Sequence, residues 1–125
     1  MEGVLFVYVA TAFARLDLAR EVMARVQSEG YVLAHDWTTE DPDGDLRRYA
    51  ALDIAGVHNS DVLLVLPAAE SCGTYWECGL ALAWGKTIVL VDGYGGRECI
   101  FEHADGVHRV ASLDQAFAYL RMIAR

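Results

Sequence analysis

Two carboxylates occupy positions where a helix would ordinarily present an apolar side chain to a core. Glu77 recurs at helical spacing with Leu80 and Trp84. Asp53 lies in the same way on a stripe with Val57. Burying an ionised carboxylate without partners costs several kcal/mol in practice, so both acids are either hydrogen-bonded in the core or line a cleft. For each residue alone, a first-turn glutamate or a solvated helix-edge aspartate explains it equally well, but two such acids together favour a functional site.

The two acids have surroundings that suit different chemical roles. We expect Glu77 near the start of its helix, where the helix dipole favours the anion and a nucleophilic role. We expect Asp53 in a more apolar setting, with a raised pKa and the role of proton donor. Two carboxyl groups with divergent environments perform glycosidic bond cleavage through an oxocarbenium-like transition state. The sequence thus indicates glycosidic chemistry.

The turn before Glu77 has the composition of an anion-binding site. Residues 71–79 read SCGTYWECG. Ser71, Gly73 and Thr74 offer small side chains and free amides at a helix start, which is a favourable place for an anion. Ser and Thr are also ordinary helix caps, and capping is the stronger interpretation for at least one of them. No phosphate-loop fingerprint is present, since the glycines of residues 93–96 lead to no matching helix.

The elements that must position these residues alternate between strand and helix. Apolar, β-branched runs predict strands over residues 4–10, 31–34, 62–66, 87–91 and 107–110. Helical spacing predicts helices that begin near Leu16 and Leu46, a third over residues 74–84, and a last one capped by Ser112. Such alternation predicts a single α/β domain, residues 1–125, with a flavodoxin-like, five-stranded parallel sheet flanked by helices on both faces. Ligand-binding loops then follow the strands, at residues 10–15, 67–74 and 92–99.

Composition argues against several classes of partner. The chain has 125 residues, 54% of them hydrophobic, which is enough for one real core. Its net charge of -8, from 18 acidic and 10 basic residues, disfavours binding a nucleic-acid polymer or an anionic membrane. No apolar run reaches membrane-spanning length, and residues 1–3 lack the positive region of a secretory signal.

Cysteine and histidine usage bounds the compartment and the cofactors. The cysteines are Cys72, Cys78 and Cys99, an odd number without paired spacing. We interpret them as free thiols in a reducing environment and expect a cytoplasmic protein. The histidines are His35, His58, His103 and His108, and they form no metal-ligand spacing. The sequence therefore predicts no metal and no cofactor.

Taken together, the motifs resemble the nucleoside 2-deoxyribosyltransferase superfamily over most of the chain. The similarity begins at residues 7–13 (VYVATAF) and continues at residues 53–61 (DIAGVHNSD). It is strongest over residues 71–86 and extends to residues 100–103 (IFEH) and the last helix, as in the short nucleoside 5′-monophosphate N-glycosidase-like members. The resemblance implies a flavodoxin-like fold, an enzyme that cleaves an N-glycosidic bond or transfers deoxyribose between bases, and a homodimer or higher homo-oligomer.

The resemblance also implies roles for individual residues. Glu77 matches the family's nucleophile, which forms a covalent glycosyl intermediate. Asp53 matches the acid that assists departure of the base, and Tyr8 matches the tyrosine that orients the nucleophile. Ser71 stands where transferases carry an acid for the sugar 5′-hydroxyl and the monophosphate hydrolases carry a phosphate-binding serine. A serine hydroxyl attracts a phosphate that a carboxylate would repel, so we expect a nucleoside 5′-monophosphate as substrate.

Further residues complete the expected substrate site. The candidates are Thr11, Phe13, Arg15, Trp37, Gly73 and Thr74. Arg15 would add positive charge near the phosphate. A base could stack on Trp37, although a wedge that covers the sheet edge explains this tryptophan equally well.

The sequence departs from the family's pattern and leaves alternatives open. Ala12 and Ala14 stand where the hydrolases tend to carry Ser and Arg, and Cys99 stands where many members carry Asn. A TIR-like NAD glycohydrolase also places a Trp, a Cys and a catalytic Glu at a helix start. A nucleotide-binding sensor without turnover is compatible with the altered loops. A phosphoacceptor receiver domain is disfavoured, because the first strand ends in Ala10 and Thr11 and not in an acidic cluster.

Overall fold

A five-stranded parallel sheet forms the centre of the molecule in the computed structural model, which describes residues 4–124. The strands are β1 (Phe6–Ala10), β2 (Val32–Leu33), β3 (Val62–Val65), β4 (Thr87–Val91) and β5 (Val107–Val110). They pair in parallel in the order β2-β1-β3-β4-β5. This confirms the predicted flavodoxin-like order, in which the chain reverses its direction of travel between β1 and β3.

Four helices cover the two faces of this sheet. They are α1 (Leu16–Ser28), α2 (Leu46–Asn59), α3 (Cys72–Ala83) and α4 (Leu113–Ile123). α1 and α4 lie on one face, where the Arg25 guanidinium lies 4.3 Å from the centre of the Phe117 ring and pairs with Asp114 at 2.8 Å. α2 and α3 pack against each other on the opposite face. None of the helices in residues 4–124 has the length and apolar character that crossing a bilayer requires.

Local sequence explains where the helices begin and end. The side chains of Asp45, Ser71 and Ser112 accept hydrogen bonds from the backbone amides three residues further on, which caps α2, α3 and α4. Gly30 follows α1 with a φ of +90°, a conformation that favours glycine. The continuous apolar sequence of β3 and most of β1 and β4 is buried, as expected for strands covered on both faces.

The predicted bounds differ from the structure at a few ends. β1 begins at Phe6 and β2 has two residues, whereas longer runs were predicted. α3 begins at Cys72, two residues earlier than predicted, because Ser71 takes the capping position. This difference changes the setting of Glu77, which becomes the sixth residue of α3 and lies in its second turn.

Candidate active site

A cleft of about 330 Å³ opens at the carboxyl ends of β1 and β3 and gathers most of the predicted site. Its lining is Thr11, Ala12, Phe13, Ala14, Trp37, Glu40, Asp53, Glu70, Ser71, Cys72, Gly73, Thr74 and Glu77. Two of the predicted site residues are not in this lining. Tyr8 lies buried behind Glu77, and Arg15 lies outside the cleft.

Glu77 is held by the tyrosine that the resemblance named. The hydroxyl of Tyr8, which is fully buried on β1, donates a hydrogen bond to Oε2 of Glu77. Burial raises the pKa of Glu77 to about 8, the negative charges of Asp53 and Glu40 raise it as well, and the bond from Tyr8 opposes the rise. Burial, followed by the charge of Glu77, also raises the pKa of Tyr8, so this hydroxyl stays a donor.

The expectation that a helix dipole keeps Glu77 anionic is wrong. α3 has no acidic residue in its first turn, and the effect of a helix terminus fades beyond that turn. Burial in the cleft wall decides the protonation of Glu77 instead. At neutral pH Glu77 is therefore mainly the neutral acid.

Asp53 belongs to a three-residue cluster that the sequence did not reveal. Nε2 of His35 lies 3.1 Å from Oε2 of Glu40 and 3.1 Å from Oδ1 of Asp53. Burial raises the pKa of Asp53 to about 7, Glu40 raises it through a hydrogen bond and its charge, and His35 opposes the rise. The structure agrees with the raised pKa that was expected for Asp53. At neutral pH this acid is poised between its two protonation states.

The same cluster is the set of groups in residues 4–124 that best resembles a metal site. One ligand-type atom from each of His35, Glu40 and Asp53 lies within 4.8 Å of the other two. The residues come from three separate segments, which is why sequence spacing did not indicate them. Nε2 of His35 already lies within hydrogen-bond distance of both carboxyl groups. The absence of a metal stays a prediction.

A glycine lets the helix that carries Asp53 approach the strand that carries Tyr8. A Cβ atom at Gly56 would lie 2.8 Å from Cβ of His35 and 2.9 Å from Cε2 of Tyr8, closer than real Cβ atoms come. Gly56 lies three residues after Asp53, and therefore on the same face of α2. Close packing at Gly56 thus brings α2, which carries Asp53, next to β1, which carries Tyr8.

Aromatic rings form the neighbouring part of the cleft. The rings of Phe13 and Trp37 have centroids 6.0 Å apart and are tilted by 40°. Trp37 is buried and donates a hydrogen bond of 2.7 Å from Nε1 to the carbonyl of Val9, so it both packs in the core and lines the cleft. Thr11 donates its hydroxyl to the carbonyl of Leu66 at 2.7 Å. Phe13, 39% exposed, offers the more accessible ring for stacking of a base.

At the other end of the cleft, the helix cap and an ion pair occupy the predicted anion site. Oγ of Ser71 accepts the amide of Thr74 at 3.3 Å and lies 2.6 Å from its Oγ1. Nε of Arg15 lies 3.5 Å from Oε1 of Glu70. Capping is thus one role of Ser71, and the positive charge expected from Arg15 already has a carboxylate partner.

The fold of this chain is similar to those of two enzymes of known structure. The CMP N-glycosidase BcmB of Clostridium botulinum is 20% identical, with 94% of this chain and 96% of that chain covered and a TM-score of 0.60. A 2-deoxyribosyltransferase from Bacillus psychrosaccharolyticus is 18% identical, with 91% and 94% covered and a TM-score of 0.68. The chain has the fold of these two enzymes. No protein-family model matches the sequence, and no curated protein matches it.

Sequence reasoning missed three polar residues on this 2-deoxyribosyltransferase-like fold. His35 follows the end of β2 by two residues, and the carboxyl end of a strand is the signal that could have found it. Glu70 directly precedes the turn that begins at Ser71, and this position could have indicated it. Glu40 lies in a loop without periodicity, so the sequence contained no signal for it. The predicted third loop, residues 92–99, lines a separate pocket of about 260 Å³ and not this cleft.

Proposed function

We propose that this protein is an enzyme that cleaves the N-glycosidic bond of a nucleoside or nucleoside 5′-monophosphate. Glu77 would be the nucleophile, Asp53 the proton donor and Tyr8 a positioning residue. The observation that carries this proposal is the Tyr8–Glu77 hydrogen bond in the wall of a cleft that also presents Asp53. The fold shared with an N-glycosidase and a 2-deoxyribosyltransferase supports the reaction class.

In the first step, the base leaves and the sugar is transferred to the protein. A carboxylate oxygen of Glu77 forms a bond to the anomeric carbon while the bond from that carbon to the base nitrogen breaks. The electron pair of the broken bond passes to the base, and Asp53 donates its proton to the base. The products of this step are the free base and a glycosyl ester of Glu77.

In the second step, an acceptor releases the sugar. Water attacks the anomeric carbon, the ester bond to Glu77 breaks, and the water's proton passes to Asp53, which restores both groups. If the nitrogen of another base attacks instead, the result is deoxyribosyl transfer. Hydrolysis and transfer use the same residues, Glu77, Asp53 and Tyr8. They differ only in the acceptor that attacks the anomeric carbon, which is water in hydrolysis and a second base in transfer.

The protonation states predict a characteristic pH dependence. Glu77 must lose its proton to attack, and its raised pKa of about 8 makes activity fall as pH decreases. Asp53 must keep its proton, and its pKa of about 7 makes activity fall as pH increases. We therefore expect a bell-shaped profile of kcat/KM with its optimum between these values, where a minority of molecules holds both required forms.

A panel assay tests the reaction class. The purified protein is incubated with ribo- and deoxyribonucleosides, their 5′-monophosphates and NAD, and free base is followed by chromatography. We expect release of base from a nucleoside or nucleotide, and its loss in Glu77→Ala. Release of nicotinamide from NAD alone would contradict the proposal and indicate a NAD glycohydrolase. Tight binding of one compound without any turnover would indicate a sensor.

We also propose that the protein forms a homo-oligomer and acts in the cytoplasm. Several large apolar side chains are exposed, including Trp76 at 77%, Ile100 at 78% and Phe101 at 67%. Such exposure on a soluble chain is typical of interaction surfaces. Light scattering coupled to size-exclusion chromatography measures the assembly, and a mass of 13.8 kDa at working concentration would contradict self-association.

A further inference from the structure

An ion pair at the mouth of the cleft bears on the kind of substrate the cleft accepts. Arg15, at the end of a short 3₁₀ turn after β1, pairs with Glu70, directly before the cap of α3. The Arg15 guanidinium lies next to the loop after β4, since a Cβ atom at Gly95 would lie 3.5 Å from its Nη2. Arg15 is not part of the cleft lining, whereas Glu70 is.

The ionisable side chains that line the cleft are all acidic. Four carboxyl groups line it, those of Glu40, Asp53, Glu70 and Glu77. Within residues 4–124, the lining contains no lysine, arginine or histidine. The hydroxyl of Ser71 accepts the amide of Thr74 and also lies 2.6 Å from Oγ1 of Thr74, so both of its contacts are within the helix cap. A phosphate carries a charge of about -1.5 to -2 at pH 7 and would enter this site without an unpaired cation to receive it.

We infer that the substrate of the proposed reaction is uncharged at its 5′ end, and that Glu70 determines this specificity. The inference rests on the proposed function and decides between the two substrate classes it leaves open. Glu70 acts in two ways: its carboxylate opposes a phosphate, and it is already paired with the guanidinium of Arg15, which would otherwise be available to a phosphate. The first amides of α3 favour an anion, but Glu70 already places a negative charge at that helix end. A nucleoside with a free 5′-hydroxyl meets none of this repulsion.

Matched substrate pairs test the inference. Each nucleoside and its own 5′-monophosphate are compared by kcat/KM for the wild type, Glu70→Gln, and the double variant Glu70→Gln with Arg15→Gln. We expect the wild type to prefer the nucleoside by about tenfold or more, because facing like charges oppose binding. Glu70→Gln should reduce that preference by roughly tenfold, since it removes a negative charge and releases Arg15. The double variant should lose part of this gain, which assigns it to Arg15.

A matched control and a binding measurement separate the possible results. Asp92→Asn removes the carboxylate of another exposed pair, with Arg109 at 2.9 Å, and should leave the preference unchanged. If the wild type prefers the monophosphate, the inference is overturned while the proposed function stands. If nothing is turned over, the function fails, and calorimetry with each pair then tests the charge argument alone. Tighter binding of the nucleoside than of the monophosphate supports the inference, and equal or weaker binding, or none, overturns it.

Discussion

The two ends of the cleft both carry carboxyl groups, but these groups differ in their exposure to solvent and in their partners. At the inner end, Glu77 is largely shielded from solvent, Asp53 is half-buried, and each has a neighbour within hydrogen-bond distance. At the outer end, Glu70 is more than half exposed and forms a loose pair with Arg15 at 3.5 Å. Burial raises the pKa of both inner carboxyl groups to near neutrality. Burial therefore sets the protonation of the inner carboxyl groups, whereas the outer carboxylate stays in solvent with a cation as its partner.

The energetic consequences of the two ends also differ. An exposed ion pair contributes about 0–1 kcal/mol to stability, so substitutions at Glu70 or Arg15 should leave the fold intact. A carboxyl group in the inner end is costly to ionise. The pKa of Glu77 is raised in the folded state, so the stability it contributes is complete below its ordinary value of 4.5 and is lost as pH rises through about 8. Changes at the inner end should therefore alter both activity and the pH dependence of unfolding.

The largest effect is expected from Glu77→Gln, which removes the nucleophile and keeps the shape of the neutral acid. We expect kcat/KM for base release to fall by at least about 10³-fold. The melting temperature of the variant should also decrease less between pH 6 and pH 9 than that of the wild type. Glu21→Gln, an exposed helical glutamate of α1, serves as the matched control. An active Glu77→Gln would place the nucleophile elsewhere.

The next largest effect is expected from Asp53→Asn, which removes the proton donor. We expect kcat to fall by about 10²–10⁴-fold for a natural base. A nitrophenyl glycoside, whose leaving group needs no proton, should lose far less, and the alkaline limb of the pH profile should disappear. Asp17→Asn, on the exposed side of α1, is the control. Equal losses for both substrates would show that Asp53 does not act as the acid.

A smaller effect is expected from Tyr8→Phe, which deletes one hydrogen bond and keeps the ring packed against Gly56. Because the bond from Tyr8 lowers the pKa of Glu77, which is the higher of the two pKa values, its loss should lower the maximum of the pH profile and move the alkaline limb to higher pH. We expect roughly a tenfold loss of kcat/KM at pH 7, in line with one hydrogen bond to a charged group. Tyr119→Phe on α4 is the control. An unmoved alkaline limb would mean that Tyr8 does not set the state of Glu77.

The smallest effect on catalysis is expected from Ser71→Ala at the outer end. Loss of a helix cap should lower stability by about 1 kcal/mol, measured by chemical denaturation. Ser112→Ala removes an equivalent cap of α4 away from the cleft and should cost a similar amount. The activity of Ser71→Ala on a nucleoside should change less than that of Tyr8→Phe. A selective loss of activity on the monophosphate would contradict an uncharged 5′ end and support Ser71 as a phosphate ligand.

The sequence predicted the fold well because its signals are local. The apolar strands and the cap at Ser112 are readable from periodicity and from single residues, and the structure agrees with them. The placement of Glu77, Asp53 and Tyr8 around one cleft followed from the resemblance, since these residues are far apart in the chain. Their roles in catalysis stay predictions.

The parts that the sequence did not predict depend on long-range contacts. The protonation state predicted for Glu77 was wrong, because the helix starts earlier than expected and burial raises the pKa of this residue. His35 and Glu40 meet Asp53 through the packing of separate segments, which no spacing encodes. Arg15 was expected to bind a phosphate. The structure instead pairs it with Glu70, because the fold brings the loops after β1 and β3 together.

Trapping the covalent intermediate tests the central claim most directly. The protein is incubated with nucleosides whose sugar carries fluorine at the 2′ position, which slows breakdown of a glycosyl ester, and is then digested and analysed by mass spectrometry. We predict release of one equivalent of base and a mass increase of one fluorinated sugar on the peptide that contains Glu77, absent in Glu77→Gln. Base release that leaves Glu77 unmodified, or an adduct on another residue, would contradict the account.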